Sequence, residues 1–370
     1  MNRSYEAGKE LYIGLMSGTS MDGVDAALCE VDATRCKLVA SLEYPFPQAL
    51  KEKIFEMIKG PILLADVGET GYRLGMLFSE AVNALLAQEN IDAQEIRAIG
   101  SHGQTLWHAP KGIAPFSMQL GDANVIAAQT HIDVVSDFRG KDIALGGEGA
   151  PFAPVFHRFL FDCLAKNIGV LNIGGMANLS VLGERLIGFD TGPGNALMDL
   201  WIGKQRGCAF DREGAWAEEG SINRLLLEAM LSDTYFAKAA PKSTGRELFN
   251  ERWLRAHLHR HAEVPAVDVQ ATLLELTVQS AANAARKYDL EHLLVCGGGV
   301  KNSFLMHRLA EELDGTAVNT TDAYGVDSDQ MEAMLVAWLA YKRLHLEQVE
   351  LSSVTGAKHN GILGGVYAKD

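Results

Sequence analysis

The strongest constraint on the fold is a short apolar strand that runs into a glycine-rich turn, a pattern that occurs three times. The strand Leu11 to Met16 leads into the turn 17–23, IGVLNI leads into Gly174 and Gly175, and HLLVC leads into Gly297 to Gly299. Glycine permits positive φ and lets the backbone approach a ligand closely, so that several N–H groups can converge on an anion. One such turn is ordinary, whereas three after short strands predict an anion-binding protein.

Strands alternate with helical segments in both halves of the chain, and this alternation predicts α/β layers. Each half contains a strand–turn–strand hairpin, helices and a later strand that ends in glycine, so both sheets should be mixed. Apolar stripes predict a helix over Val67 to Gln88 and a C-terminal helix over Asp329 to Leu346. The glycine-rich and charged segment Ser136 to Pro151 marks the expected boundary. We therefore predict one domain of residues 1–137 plus about 349–370 and a second of residues 138–348.

Charge and cysteine usage narrow the class of protein. A formal net charge of -14 argues against a broad surface for nucleic acid or anionic membrane, since phosphate-binding surfaces are basic. The five cysteines are scattered without a CxxC pair, which favours a reducing compartment. No signal-peptide pattern and no apolar run near the ~20 residues of a membrane span is evident. We expect a cytoplasmic protein.

The first glycine-rich turn carries hydroxyl donors for a phosphate together with one carboxylate. Ser17, Thr19 and Ser20 supply the hydroxyls, and Asp22 has an oxygen ligand of the kind that Mg²⁺ needs beside phosphate. An aspartate that only caps its own turn is the alternative. No GxxxxGK[ST] motif is present, and no GxGxxG opens a helix after the first strand. These absences exclude a P-loop and disfavour a dinucleotide-binding fold.

A set of longer motifs carries a specific resemblance. In order along the chain they are GLMSGTSMDGVDAAL, GSHGQTLWH, DFRGKDIALGGEGAP, LNIGGMANLS, GFDTGPGNALMD, PKSTGRE and VCGGGVKN. Together they resemble the anhydro-N-acetylmuramic acid kinase family, within the actin, sugar-kinase and heat-shock-chaperone ATPase superfamily. The resemblance implies a two-domain actin-like ATPase (ribonuclease-H-like) fold with mixed sheets and an interdomain cleft. The residues expected to bind ATP are Ser17, Gly18, Thr19, Ser20, Met21, Asp22, Gly23, Val24, Asp25, Gly174, Gly175, Asn178, Gly297, Gly298, Gly299 and Asn302.

The same resemblance implies the reaction. Its members use ATP, Mg²⁺ and water to open a 1,6-anhydro amino sugar and phosphorylate the freed O6, giving N-acetylmuramic acid 6-phosphate in peptidoglycan recycling. A homodimer is also implied. Asp190 in GFDTGPGN ends a short apolar strand, and it matches the family residue that activates water, as a carboxylate does in an inverting glycosidase. The alternative is a side chain that bonds only the amides of its own turn.

Four residues are candidates for binding the sugar. Arg139 in DFRGKD fits the lactyl carboxylate of such a substrate through a bidentate pair, although a salt bridge at the domain boundary is the alternative. Glu332 matches a sugar-binding residue of the family, or it serves only the helix dipole. His102 and Gln104 in SHGQT line the sugar pocket, or the histidine is a buried, hydrogen-bonded core residue.

Other motifs have no assigned role. Lys242 and Arg246 in PKSTGRE match a family motif. His257 and His261 in HLHRH are four residues apart and could share a helical face, but no third ligand is near, which disfavours zinc.

Two other functions stay open at this point. The first is a sugar kinase that phosphorylates a free hydroxyl, in which Asp190 would deprotonate that hydroxyl. The second is a non-catalytic ATP-driven switch, which would need a further contact region. The 370 residues leave little chain for one beyond two ATPase domains.

Overall fold

Two mixed sheets, each in its own unit of the chain, organise the residues that the structure describes. The computed structural model describes residues 9–18, 21–165 and 167–370. The first unit consists of Met1–Leu160 and Gln330–Asp370, and the second consists of Phe161–Asp329. The predicted α/β class with mixed sheets is confirmed.

The first unit begins with an antiparallel meander of three strands, and consecutive residues of the first two strands are buried, so both faces of the sheet are covered there. Every residue of the first strand pairs with a residue of the second, and Gly14 lies opposite Ala27. The elements of this part are β1 (Glu10–Met16), β2 (Gly23–Val31), β3 (Cys36–Pro45), α1 (Gln48–Lys59), α2 (Leu64–Glu89), β4 (Ile96–Ser101), β5 (Gln104–Ala109), β6 (Phe116–Leu120), α3 (Ala123–Thr130), β7 (Val134–Ser136), α4 (Phe138–Ala144) and α5 (Ala153–Phe161).

The second unit repeats this plan with another antiparallel hairpin followed by helices and two parallel strands. Its long helix α11 is buried on most of its surface. The elements are β8 (Ile168–Ile173), β9 (Met176–Leu182), β10 (Leu186–Pro193), α6 (Ala196–Arg206), α7 (Ala215–Glu218), α8 (Arg224–Leu231), α9 (Thr234–Ala237), α10 (Glu251–Leu258), α11 (Ala266–Ala285), β11 (His292–Cys296), α12 (Ser303–Glu312) and β12 (Ala317–Thr320).

The chain then returns to the first unit through α13 (Met331–Leu344) and β13 (Gly365–Tyr367). Helix α13 packs on β1, β2 and β4. The approach is so close that a Cβ on Gly14 would lie 1.8 Å from the Ala333 carbonyl oxygen. This packing brings segment 330–348 into the first unit, which also includes segment 138–160; the predicted division assigned both segments to the other domain.

The strand orders of the two sheets correspond. The first sheet runs β13-β7-β4-β1-β2-β3 and the second runs β10-β9-β8-β11-β12. Numbered within each sheet, both contain the order 3-2-1-4-5 of a ribonuclease-H-like sheet, with strands 1 to 3 antiparallel and strands 1, 4 and 5 parallel. The turns after β1 and β8 both follow strand 1 of their sheets, whereas the turn after β11 follows strand 4. No helix in the described ranges has the length and apolar character that a membrane crossing requires.

Candidate active site

In the second unit, Asp190 lies on the edge strand β10, in a row of polar residues that crosses the hairpin. Asn172 of β8 pairs with Asn178 of β9, and Asn178 pairs with Asp190. Residues directly opposite one another on neighbouring strands place their side chains on the same face of the sheet. The register shifts between Asp190 and Gly192, which makes Thr191 the extra residue of a β-bulge. Bulges bend the strand and redirect side chains, and they are common beside active sites.

The backbone and side chain of Asp190 are held by residues that lie 45 to 54 positions further along the chain. Its N–H donates to the Lys242 carbonyl at 2.9 Å. The Thr244 N–H donates to the carboxylate Oδ2 at 2.8 Å, and the Tyr235 hydroxyl donates to the Asp190 carbonyl at 2.7 Å. Oδ1 accepts no hydrogen bond from any residue that the structure describes. The amide that Asp190 binds therefore belongs to a distant loop, which leaves one carboxylate oxygen for a ligand.

Burial raises the pKa of Asp190 to about 6. The Thr244 amide and the Lys242 ammonium act in the opposite direction, and the neighbouring Glu247 carboxylate raises the pKa further. At pH 7 such a group is mostly ionised, because the pH lies above its pKa. It is also a stronger base than an ordinary aspartate. Both properties suit a general base that works near neutral pH.

The PKSTGRE segment, to which the sequence assigned no role, supplies this support. The Lys242 ammonium donates to the carbonyls of Tyr235 and Phe236 at 3.1 and 3.4 Å. It also lies 4.4 Å from the centroid of the Tyr235 ring. These contacts fix the loop beside β10 and so place the Thr244 amide on the carboxylate. The sequence signal for this loop was a run of basic and hydroxyl residues between proline and glycine.

The turn at Gly174 and Gly175 is joined to the start of α6 by backbone hydrogen bonds. The carbonyl of Gly174 accepts the Asn195 N–H at 2.8 Å, and the carbonyl of Gly175 accepts the N–H groups of Gly194 and Ala196 at 3.0 and 3.1 Å. The hairpin turn and the turn that follows Asp190 therefore form one rigid assembly in this unit.

The third turn needs glycine for two reasons. Gly297 has a φ of +80°. A Cβ there would lie 2.2 Å from the Asn172 Oδ1, so the turn packs directly on the polar row of the hairpin. Gly298 and Gly299 continue into a 3₁₀ turn, after which the Asn302 side chain accepts the Leu305 N–H at 2.9 Å and caps α12. Asn302 therefore has a structural role that its sequence motif did not reveal.

A cavity of about 450 Å³ lies beside this third turn, within the second unit. Gly298 and Asn302 form one part of its wall, and Asp199 and the exposed ring of Phe210 form another. Burial raises the pKa of Asp199 to about 6; Arg246 opposes this shift and Asp211 adds to it. A cavity of this size, with apolar and polar walls, is typical of a site for a small organic ligand.

In the first unit, the predicted turn 17–23 divides into buried and exposed parts. Ser17 is buried, and no group in the described ranges hydrogen bonds to its hydroxyl. The Gly18 carbonyl accepts the Met21 N–H at 3.1 Å. Met21 has a positive φ of 51° and, like Val24, places its side chain in the core. Gly23 and Asp25 lie in β2, and Thr19 and Ser20 lie outside the described residues.

Asp22 is the exposed carboxylate of this turn. Its Oδ1 pairs with the Lys51 ammonium at 2.9 Å, and 70% of its side chain is accessible. A single accessible carboxylate suits a Mg²⁺ ion that takes its other ligands from phosphates and water. The described residues contain no cluster of three or more His, Cys, Asp or Glu that could hold a metal ion, and HLHRH forms none.

The sugar-binding candidates of the first unit centre on a hydrogen-bonded pair, His102 and Arg139, whose side chains are partly buried. Nε and Nη2 of Arg139 both donate to the His102 Nε2, at 3.1 and 2.9 Å. The His102 Nδ1 lies 2.8 Å from the Gly103 carbonyl. Since Nε2 accepts, Nδ1 carries the proton and donates. Burial, followed by the Arg139 charge, lowers the pKa of His102 to about 4, so the ring is neutral at pH 7.

Glu332 and Gln104 complete this group. Glu332 lies in the first turn of α13 with a solvent-accessible side chain, where desolvation raises its pKa and the Arg139 charge opposes that rise. Gln104 is buried, and within the described residues its Oε1 has no hydrogen-bond donor. The arrangement combines a guanidinium with free N–H groups, an accessible acid and an unused amide oxygen. Such a set can bind a carboxylate and neutral hydroxyl or amide groups of one ligand.

Comparison with known proteins establishes the family. The family model described as anhydro-N-acetylmuramic acid kinase matches residues 10–369. The chain belongs to this family. Relatives named anhydro-N-acetylmuramic acid kinase include one from Sulfurovum sp., 57% identical over 360 residues, covering 97% of this chain and 99% of the relative. Another from Sulfurimonas denitrificans is 51% identical over 365 residues, covering 97% of this chain and 99% of the relative.

Solved structures show more distant similarity. The activator of the 2-hydroxyisocaproyl-CoA dehydratase from Clostridium difficile with bound ADPNP gives a TM-score of 0.48 at 11% identity, covering 91% of this chain and 96% of that one. A ROK family glucokinase from Streptomyces griseus in complex with glucose and AMPPNP gives a TM-score of 0.41 at 15% identity, covering 90% of this chain and 99% of that one.

Family membership confirms the predicted enzyme class, an ATP-dependent kinase with a sugar substrate. The homodimer, the cytoplasmic location, the lack of nucleic-acid binding and the individual residue roles stay predictions.

Proposed function

We propose that this kinase opens the 1,6-anhydro ring of anhydro-N-acetylmuramic acid with water and transfers the γ-phosphoryl group of ATP to O6. Water forms a new bond to C1 while the C1–O6 bond breaks. O6 forms a bond to the γ-phosphorus while the bond from that phosphorus to the ADP oxygen breaks. The proton of the attacking water goes to a carboxylate. The products are N-acetylmuramic acid 6-phosphate and ADP, and no separate acid is needed because phosphorus takes the charge of the leaving oxygen.

Asp190 is the carboxylate that accepts the water proton in this proposal. The observation that carries it is the state of the carboxylate: the Thr244 amide holds Oδ2, and Oδ1 has no donor among the described residues. A fixed carboxylate with one open oxygen can orient a water for attack. A pKa of about 6 supports the role, because the group is ionised at pH 7 and is basic enough to receive a proton.

ATP is proposed to bind through the glycine-rich turns and the cavity of the second unit. The cavity beside Gly298 and Asn302 has the volume and the mixed walls that an adenosine needs, and Phe210 offers a ring for stacking at its edge. In the first unit, the buried Ser17 hydroxyl and the turn at Gly18 supply donors for phosphate oxygens.

Mg²⁺ would be held by the accessible carboxylate of Asp22 and by phosphate oxygens of ATP. When bound, the ion neutralises charge on the phosphates during transfer. In the same proposal the Lys51 ammonium, which pairs with Asp22 at 2.9 Å, orients that carboxylate.

The amino sugar is proposed to bind the polar group around Arg139. Two of the five guanidinium N–H donors are directed at the neutral His102, which fixes the plane of the guanidinium and leaves other donors for the lactyl carboxylate. Glu332 and the Gln104 Oε1 are positioned for neutral polar groups of the sugar. A neutral His102 avoids repulsion between two cations at this point.

Turnover in ¹⁸O-labelled water tests the proposal. We expect one solvent oxygen at C1 of the product and none in the phosphate group. Asp190→Asn should bind ATP and sugar but lose about 10²–10⁴ of kcat, the usual contribution of a positioned base. Asp314→Asn, an exposed aspartate of the same unit, is the matched control and should keep full activity. Near-normal kcat in Asp190→Asn would overturn the base assignment. A product without ¹⁸O at C1 would instead favour a kinase for a free hydroxyl.

A further inference from the structure

A second cavity in the second unit is not used by the proposed reaction. It has a volume of about 470 Å³ and shares no lining residue with the cavity beside Gly298. Phe189 and Thr191, the two neighbours of Asp190 in β10, line this cavity, whereas Asp190 does not. It is therefore a separate compartment beside the proposed base.

Three lysines concentrate positive charge at this cavity. Lys238, Lys242 and Lys287 all line it. Within the part of the chain that the structure describes, none of these three lysines forms an ion pair. Burial lowers the pKa of Lys242, and the charges of Lys287 and Lys238 lower it further while the Asp190 carboxylate opposes them, so the Lys242 ammonium is repelled by the other two. In a protein of net charge -14, three such cations at one cavity are unusual, and an anion would relieve their repulsion.

The remaining walls of the cavity are apolar and aromatic. Phe189, Phe236 and Tyr288 lie against it, and the rings of Phe189 and Tyr288 are 5.9 Å apart between centroids. Asn283 on α11 adds a neutral amide. Inorganic phosphate alone would leave these walls unfilled, while an uncharged aromatic molecule would leave the lysines unpaired. The chemistry fits a ligand with an anionic group attached to an apolar body.

We propose that this cavity binds an organic phosphate monoester, with its phosphate on Lys238, Lys242 and Lys287 and its apolar body against Phe189 and Tyr288. A phosphate dianion has three terminal oxygens for three ammonium donors, and lysine binds phosphate as a point charge. The Lys242 carbonyl also accepts the Asp190 N–H. A ligand bound to Lys242 would therefore contact a residue that is itself hydrogen bonded to Asp190, the proposed base.

Calorimetric titration with phenyl phosphate tests the proposal on the full chain, both without AMPPNP and in the presence of saturating AMPPNP and Mg²⁺. We expect saturable binding that weakens at high salt, because the contacts are ionic. The double variant Lys238→Gln/Lys287→Gln should raise Kd for phenyl phosphate about tenfold or more, because two charge-assisted contacts are lost. Lys204→Gln, an exposed lysine of the same unit that pairs with Glu251, is the matched control and should leave Kd unchanged.

Three results would overturn the proposal. They are no saturable binding to the unmodified protein, an unchanged Kd in the double variant, and abolition of binding by AMPPNP, which would place phenyl phosphate in the nucleotide site. A melting curve of the double variant that matches the unmodified protein shows that its fold is intact. Because neither lysine belongs to the proposed machinery, failure here leaves the ¹⁸O experiment unaffected.

Discussion

Replacing Asp190 by asparagine should stabilise the fold while it removes activity. Burial raises the pKa of this carboxyl from 3.8 to about 6, so the folded state holds the proton more tightly than the unfolded chain does. The charged form is therefore the unfavourable one in the fold. The loss of folding stability that this ionisation causes is absent below pH 3.8, grows as the pH rises towards 6, and is fully present above that. Asparagine carries no charge and avoids this cost.

The magnitude follows from the two pKa values. A rise from 3.8 to about 6 corresponds to roughly 3 kcal/mol of differential stability, at 1.36 kcal/mol for each pKa unit. Asp190 is partly accessible to solvent, which reduces this figure, and asparagine weakens the charge-assisted hydrogen bond from Thr244 by about 1 kcal/mol. A net gain of about 1–2 kcal/mol remains. For a unit of this size each kcal/mol raises Tm by about 2–4 °C.

Scanning calorimetry of the ligand-free protein at pH 8 and pH 4 measures the effect. We expect a higher Tm for Asp190→Asn at pH 8 and little difference at pH 4, where the carboxyl is largely protonated in the fold. Asp314→Asn, on the surface of the same unit, should change Tm at neither pH. An unchanged or lower Tm at pH 8 would refute the reasoning. A gain that persists at pH 4 would also refute it, since the cause would not be the charge.

Three further predictions follow from the geometry. The value of kcat/KM should fall as the pH drops below about 6, the apparent pKa of the base. Glu247→Gln should move this acidic limb of the pH profile to lower pH, because it removes a charge that raises the pKa of Asp190. An acidic limb that does not move would contradict this. Arg139→Lys should raise KM for the anhydro sugar about 10–100-fold, through loss of bidentate donation, and steady-state kinetics should show KM for ATP unchanged. Gly14→Ala should lower the free energy of unfolding, measured in urea, by about 3 kcal/mol or more, because its Cβ would lie 1.8 Å from a carbonyl oxygen of α13. The control Gly60→Ala, where a Cβ meets no atom within 4 Å, should lower it by less than about 0.5 kcal/mol.

The sequence predicted the elements of the fold well where periodicity was strong. The apolar stripe placed a helix over Val67 to Gln88, and the structure has Leu64–Glu89. The C-terminal helix, expected over Asp329 to Leu346, spans Met331–Leu344. The domain limits were predicted less well, because periodicity shows that a helix has a buried face but does not show which sheet covers that face.

Of the candidate site, the sequence identified the residues whose chemistry is unusual and missed those that hold them. Asp190 was marked by its position between a strand and glycines. Thr244 and Lys242 were not given roles, since their contribution comes from a backbone amide and a carbonyl, which every residue type has. Asn302 was expected to bind ATP, and its side chain is also the cap of α12.

By itself the sequence determined the order of strands and helices, the glycine positions at which the backbone turns, and membership of a kinase family. These depend on local conformational preference and on residue pattern. Only the tertiary structure decided that Asn172, Asn178 and Asp190 share one row, that a loop more than fifty residues away holds the Asp190 carboxylate, and that its pKa rises to about 6. The physical reason is that burial and hydrogen bonding depend on which segments meet in space, and sequence spacing does not record those meetings.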